Sequence, residues 1–131
     1  MATHDPCPCG NPTAYANCCG RLHLQFQQTG QLGAGSAEQL MRSRYSAFVR
    51  NDTGYLLASW HPRTRPAMLA PNEGGLRWLG LEIKQHLQQD ANHATVQFVA
   101  RSKLGGRAHR LCETSRFEKV DGQWYYLDGD V

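Results

Sequence analysis

A chain of 131 residues with 40% hydrophobic content, including three Trp, five Tyr and four Phe, has room for one compact domain and a small appendage. No apolar run approaches the roughly 20 residues that a membrane-spanning helix needs, and no charged start followed by an apolar stretch marks a secretory leader, so a cytoplasmic protein without a membrane partner is expected. Fourteen Lys and Arg against eleven Asp and Glu give a net charge of +3, and their scattered placement speaks against nucleic acid as a partner.

Four of the five cysteines fall in one stretch, CPCGNPTAYANCCG from Cys7 to Gly20, as two close pairs eight residues apart. Thiolates bind zinc in tetrahedral sets of four, and a closed set of this kind is structural. Cys7, Cys9, Cys18 and Cys19 are therefore the expected ligands of one structural Zn2+ per chain. Four thiolates and one such ion would take the net charge to +1. Pro6, Pro8 and Pro12 restrict the chain, and Gly10 permits the turn between the pairs. The alternatives are disulfides and unliganded thiols. A reducing compartment argues against disulfides, as does the awkward vicinal pair Cys18-Cys19. His23 is the one nearby histidine that could substitute as a ligand.

Beyond the cysteines, Leu22, Leu24 and Phe26 alternate as in a short strand or an irregular lid, and polar, glycine-rich residues come next, so 21–35 reads as a linker. Ser36 with Gln39 forms an S-x-x-Q capping box at the start of a helix. In SAEQLMRSRYSAFVRND, Ala37, Leu40, Met41, Tyr45 and Phe48 recur at helical spacing, and Arg44 falls within that apolar stripe. A second, shorter helix covers TGYLLASW and ends at His61-Pro62.

From Leu76 the period changes to two. Leu79, Leu81, Ile83 and Leu87 would share one face of a first strand, with a turn at 88–93. Ala94, Val96, Phe98 and Ala100 mark a second strand, and Gly105-Gly106 a hairpin. A third strand runs through AHRLCETSRFEKV, where Leu111, Glu113, Ser115 and Phe117 share a face. Asp121-Gly122 is a hairpin signal before the fourth strand, QWYYLDG. Helices and then four antiparallel strands predict an α+β fold.

Glu113 lies between apolar neighbours much as Arg44 does, so the two suggest either a buried ion pair or a polar-lined pocket. Arg44, Tyr45, Trp60, His61, Glu113 and Arg116 are the candidate pocket residues. A carboxylate among apolar groups or a histidine can act as a general base, which makes Glu113 and His61 the catalytic candidates.

The pattern CPCG, Tyr15, CCG resembles the SEC-C motif, the zinc knuckle at the tail of the SecA translocase, with Asn11, Pro12, Thr13 and Ala14 standing where the motif carries SGKK. That resemblance implies a protein partner docked through the knuckle, with chaperone or translocation machinery as its class. Over the whole chain, LMRSRYSAFV, SWHP, WLGLEI and ETSRFEK with the W-Y-Y-DG ending resemble the bacterial YchJ-like family. There a SEC-C knuckle precedes a cystatin-like, nuclear-transport-factor-2-like cone. The resemblance implies residues 1–20 as knuckle, 21–35 as linker and 36–131 as cone. It supplies no reaction. An adaptor that works through its zinc knuckle is the first functional expectation. A cone that binds or converts a small-molecule ligand is the alternative.

Overall fold

The structure, a computed structural model, describes residues 6–131. Residues 1–5 of the expected knuckle unit lie outside the described residues. Three helices, α1 (Cys19–Thr29), α2 (Ala37–Val49) and α3 (Thr53–Ala58), precede four strands, β1 (Arg77–Asp90), β2 (His93–Leu104), β3 (Arg107–Val120) and β4 (Gln123–Asp130). The strands form one antiparallel sheet in the order β1-β2-β3-β4. This is the expected α+β cone, with α2 laid across the sheet.

Helix α2 forms where its cap and stripe place it. The Ser36 hydroxyl accepts the Gln39 N–H at 3.1 Å, and the Gln39 side chain reaches back to the Gly35 N–H at 2.9 Å. Ser36→Ala is expected to cost about 1 kcal/mol, read as a lower midpoint in urea with an unchanged slope. Leu40, Met41 and Tyr45 pack on Val96, Phe98, Ala100, Phe117 and Trp124 of the sheet. A second cluster joins Ala47, Tyr55 and Leu56 to Leu32. Two of the three tight hairpins have two successive residues with positive φ, Gly105-Gly106 (59° and 79°) and Asp121-Gly122 (51° and 81°), which match the right-handed twist of the flanking strands.

Two elements depart from the sequence reading. Residues 21–29 belong to α1 rather than to a strand, lid or linker: Leu22, His23 and Phe26 share a helical face, while Leu24 points to solvent at 52% exposure. Gly30, in the left-handed conformation, ends this helix with its N–H on Phe26 O at 2.8 Å. The segment after Gly30 is tethered as well, since the Leu32 N–H bonds Gln123 Oε1 at 2.6 Å.

In β1 the expected inward face is broken. Bulges between Trp78 and Gly80, Ile83 and Gln85, and Gln88 and Asp90 each shift the register. A one-residue slip turns side chains to the other face. Trp78, Leu81 and Ile83 therefore pack inward, while Leu79 and Leu87 are about half exposed. The bulges let β1 curl around α2, and that curl closes the cone.

Candidate functional site

The knuckle is built from two turns. The Gly10 N–H bonds Cys7 O at 3.1 Å and the Cys7 N–H bonds Thr13 O at 2.9 Å, so Cys7 and Cys9 face toward the start of α1. A single 3-10 turn (Tyr15–Asn17) then delivers Cys18 and Cys19 at the start of α1, where the helix dipole favours anionic sulfur. Gly10, at φ 98°, lies so close to β1 that a Cβ there would stand 3.0 Å from Leu81 O.

All four Sγ atoms lie within 4.8 Å of one another, and Cys9 and Cys18 are 3.7 Å apart. Four sulfurs at about 2.3 Å around one zinc would be about 3.8 Å apart, so the cluster has the dimensions of a tetrahedral site. Cys7, Cys9 and Cys19 are buried, and Cys18 is partly exposed. Asn11 Nδ2 donates to Cys18 Sγ at 3.4 Å, Ser46 Oγ sits 3.5 Å from Cys7 Sγ, and Arg42 Nη1 donates to Cys9 O at 2.8 Å and approaches Cys9 Sγ at 3.9 Å.

Such outer contacts orient ligands and soften thiolate charge. The thiols perturb one another strongly. Hydrogen bonds from Cys19 and then Cys9 push Cys7 far down, while the bonds to Cys7 and Cys9, then burial, push Cys19 far up. Four thiolates this close need a cation among them, which is what a metal ion supplies. The donor set fits that group.

A buried hydrogen-bond chain ties the knuckle to the cone. Tyr15 OH meets His23 Nδ1 at 2.7 Å, and His23 Nε2 meets Ser43 O at 2.8 Å. A carbonyl only accepts, so Nε2 carries the proton and Nδ1 accepts from the tyrosine. Burial holds the His23 pKa below its ordinary value, which keeps this neutral form. Both ring nitrogens are thus engaged away from the sulfurs, and His23 is not among the four grouped ligands. Ser43 Oγ bonds Leu40 O and Tyr55 OH, continuing the chain into the helical layer.

At Gly20 the backbone lies close against Tyr15: a Cβ there would fall 2.7 Å from both the Tyr15 ring and its carbonyl. Gly20→Ala is expected to loosen this joint at a cost of about 1–3 kcal/mol. Faster amide hydrogen exchange at Tyr15 and His23 is the readout.

The second candidate site is a cavity of about 240 Å³ inside the cone, between α2 and the concave face of the sheet. Arg44, Tyr45, Trp60 and Glu113 line it together with Trp78 and Tyr126. Arg44 is 3% exposed, and its Nη1 donates to Leu56 O at 2.8 Å and to Ser59 Oγ at 2.7 Å. The guanidinium carbon sits 4.6 Å from the Tyr126 ring centre and 5.3 Å from that of Trp60. Glu113 Oε2 accepts from Ser115 Oγ at 2.6 Å and Tyr126 OH at 3.4 Å.

Arg44 and Glu113 thus face one cavity without forming an ion pair among the described residues. Of the two arrangements the sequence suggested for them, the ion pair is not formed, and the shared cavity is lined mainly by carbon, with Arg44 and Glu113 as its charged groups. His61 and Arg116 lie elsewhere. His61 Nε2 meets Glu118 Oε1 at 2.8 Å in a mostly buried contact outside the cavity lining, and Arg116 pairs with Asp128 and Asp130 on the opposite face of β3.

Comparison with known proteins now decides the family. A model described as YchJ, middle NTF2-like domain, matches residues 36–129. The UPF0225 protein of Bordetella pertussis is 57% identical over 125 residues, covering 95% of this chain and 92% of its own. The chain belongs to the YchJ (UPF0225) family. The family's reach extends to Xanthomonas campestris, whose UPF0225 protein is 52% identical over 126 residues, 95% of this chain and 93% of its own.

Two solved structures named as SEC-C motif containing proteins share the YchJ chain's architecture. The one from Rhodopseudomonas palustris has a TM-score of 0.80 at 29% identity, covering 96% of this chain and 98% of its own. The other, from Psychrobacter arcticus, has a TM-score of 0.78 at 27% identity, covering 98% and 84%.

Within this YchJ-family cone, sequence reasoning missed Trp78, Phe98 and Tyr126 as cavity walls. Phe98 carried a usable signal, as an inward residue of β2 directly opposite Glu113 in the β2–β3 pairing. Trp78 faces inward only because of the adjacent bulge, and Tyr126 because β3 and β4 slip register at Arg116/Phe117.

Proposed function

We propose that Cys7, Cys9, Cys18 and Cys19 hold one structural Zn2+ per chain, and that the knuckle it fixes is a docking surface for a protein partner. The closure of the thiol set is the observation that carries this reading. Four sulfurs fill a tetrahedral zinc, so the ion has no open position for a substrate and serves shape rather than catalysis.

The shape so held is an exposed one. The connector between the cysteine pairs contributes Asn11, Thr13 and Asn17 to a polar groove of about 200 Å³, completed by Arg21, Gln39 and Arg42. By analogy with the SEC-C knuckle of SecA, the partner's class is chaperone or translocation machinery.

The test compares capture by the native chain, by a Cys7→Ser/Cys18→Ser double variant and by Arg21→Glu, which alters the groove without touching a ligand. A partner lost with the double variant and weakened by Arg21→Glu is the expected result. The same proteins retained by all three would overturn the docking role. A second reading, a small-molecule site in the cone, is favoured by the burial of Arg44 without a counter-ion.

A further inference from the structure

We infer that the cone cavity binds a small carboxylate with an apolar body about the size of one ring, and that Arg44 anchors its carboxylate. The inference concerns the cone and stands independently of the docking role of the knuckle.

A guanidinium withdrawn from water with no counter-ion is unfavourable unless something compensates it. Arg44 is such a group. Its two hydrogen bonds both leave from Nη1, toward neutral acceptors, Leu56 O and Ser59 Oγ. The Nε and Nη2 edge has no acceptor among the described residues, and that edge is the fork that holds a carboxylate through two parallel hydrogen bonds. The faces of Trp60 and Tyr126 fix the plane of the fork. Burial lowers the Arg44 pKa to about 10, so the group still carries its charge at neutral pH.

The remaining wall sets the rest of the ligand. Met41, Phe48, Trp78, Phe98 and Ala100 leave little but carbon facing the space. Its 240 Å³ exceeds the roughly 150 Å³ apolar cavity that takes benzene, which leaves room for a ring plus a short acidic tail. Glu113 attracts Arg44 only across the cavity, beyond ion-pair distance, and does not occupy the fork. Its Oε2 is already held by Ser115 and Tyr126, and among the ion pairs of the described residues none joins its oxygens to an Arg44 nitrogen within 4.0 Å.

The full chain, titrated with phenylacetate and separately with neutral phenylacetamide, tests this through tryptophan fluorescence, because Trp60 and Trp78 both line the cavity. Phenylacetate is expected to bind at least about tenfold more tightly than the amide, and Arg44→Gln to erase that preference. Ala100→Leu, which fills the cavity and leaves the guanidinium in place, should abolish binding of both, so the inference stays testable if Arg44→Gln does not fold. An amide that binds as well as the acid, full binding by Ala100→Leu, or no response to phenylacetate up to about 10 mM would each overturn it.

Discussion

Replacing Cys9 by serine, or stripping the metal with a strong chelator, is expected to unfold the N-terminal segment and lower the thermal midpoint by about 10 °C or more. Cys9 is fully buried, so the change strikes the inside of the cluster. The knuckle's own core is little more than Cys7, Cys9 and Cys19 with Tyr15 and Leu81 against them, too small to hold its turns without a metal. A structural zinc contributes about 10–16 kcal/mol of apparent binding free energy in comparably small units.

The loss would spread. The Arg42 bond to Cys9 O, the Cys7–Ser46 contact and the Tyr15–His23–Ser43 chain all depend on the knuckle's shape, and all three end on α2. Thermal unfolding with and without chelator measures the effect. A midpoint unmoved by chelator and by Cys9→Ser would contradict the structural role of the metal.

Arg44→Met is expected to raise unfolding stability by about 1–2 kcal/mol while removing carboxylate binding. The sign is set by linkage. Burial places the folded-state pKa of Arg44 at about 10, below its ordinary value, so folding disfavours the charged form. That cost, about 3 kcal/mol, is present throughout the range below the folded pKa and is relieved only as pH rises above it. Removing the charge relieves the cost at neutral pH. The two hydrogen bonds lost from Nη1 offset part of the gain at about 1 kcal/mol or less each, because Ser59 Oγ keeps its bond to Tyr55 O at 2.7 Å.

The opposite sign would identify a structural ion pair. If Arg44 were the partner that Glu113 needs, its removal would cost about 3–5 kcal/mol. Urea unfolding of Arg44→Met, of Glu113→Gln and of the double variant separates the cases, since a structural pair couples in the cycle and independent residues add. A loss above about 3 kcal/mol for Arg44→Met alone would remove the ground for reading the cavity as an anion site.

Much of the fold was legible in the residues because it depends on local spacing. The thiols are close in sequence, so their convergence needs only two turns. The Ser36 cap, the alternation through Ala94, Val96, Phe98 and Ala100, and the Asp121-Gly122 hairpin are equally local. Helix α1 was hidden because Leu22, Leu24 and Phe26 fit a period of two as well as a helix, and only packing against Tyr55 selects the face with Leu22, His23 and Phe26. The β1 face was misread because bulges leave no mark in a hydrophobic pattern. The cavity was half legible: Arg44 and Glu113 stood out as charges on apolar faces. Tyr126, which both of them touch, reaches the site through a register slip that no spacing rule reveals.

The metal is the claim on which the knuckle, its joint to the cone and the docking surface all depend. Native mass spectrometry of the untagged protein, paired with thiol alkylation under native conditions, tests it directly. One zinc per chain is expected, with Cys112, the exposed cysteine of β3, alkylated rapidly and the other four protected until the metal is removed. A metal-free chain in which Cys7, Cys9, Cys18 and Cys19 are reduced and react freely would contradict it.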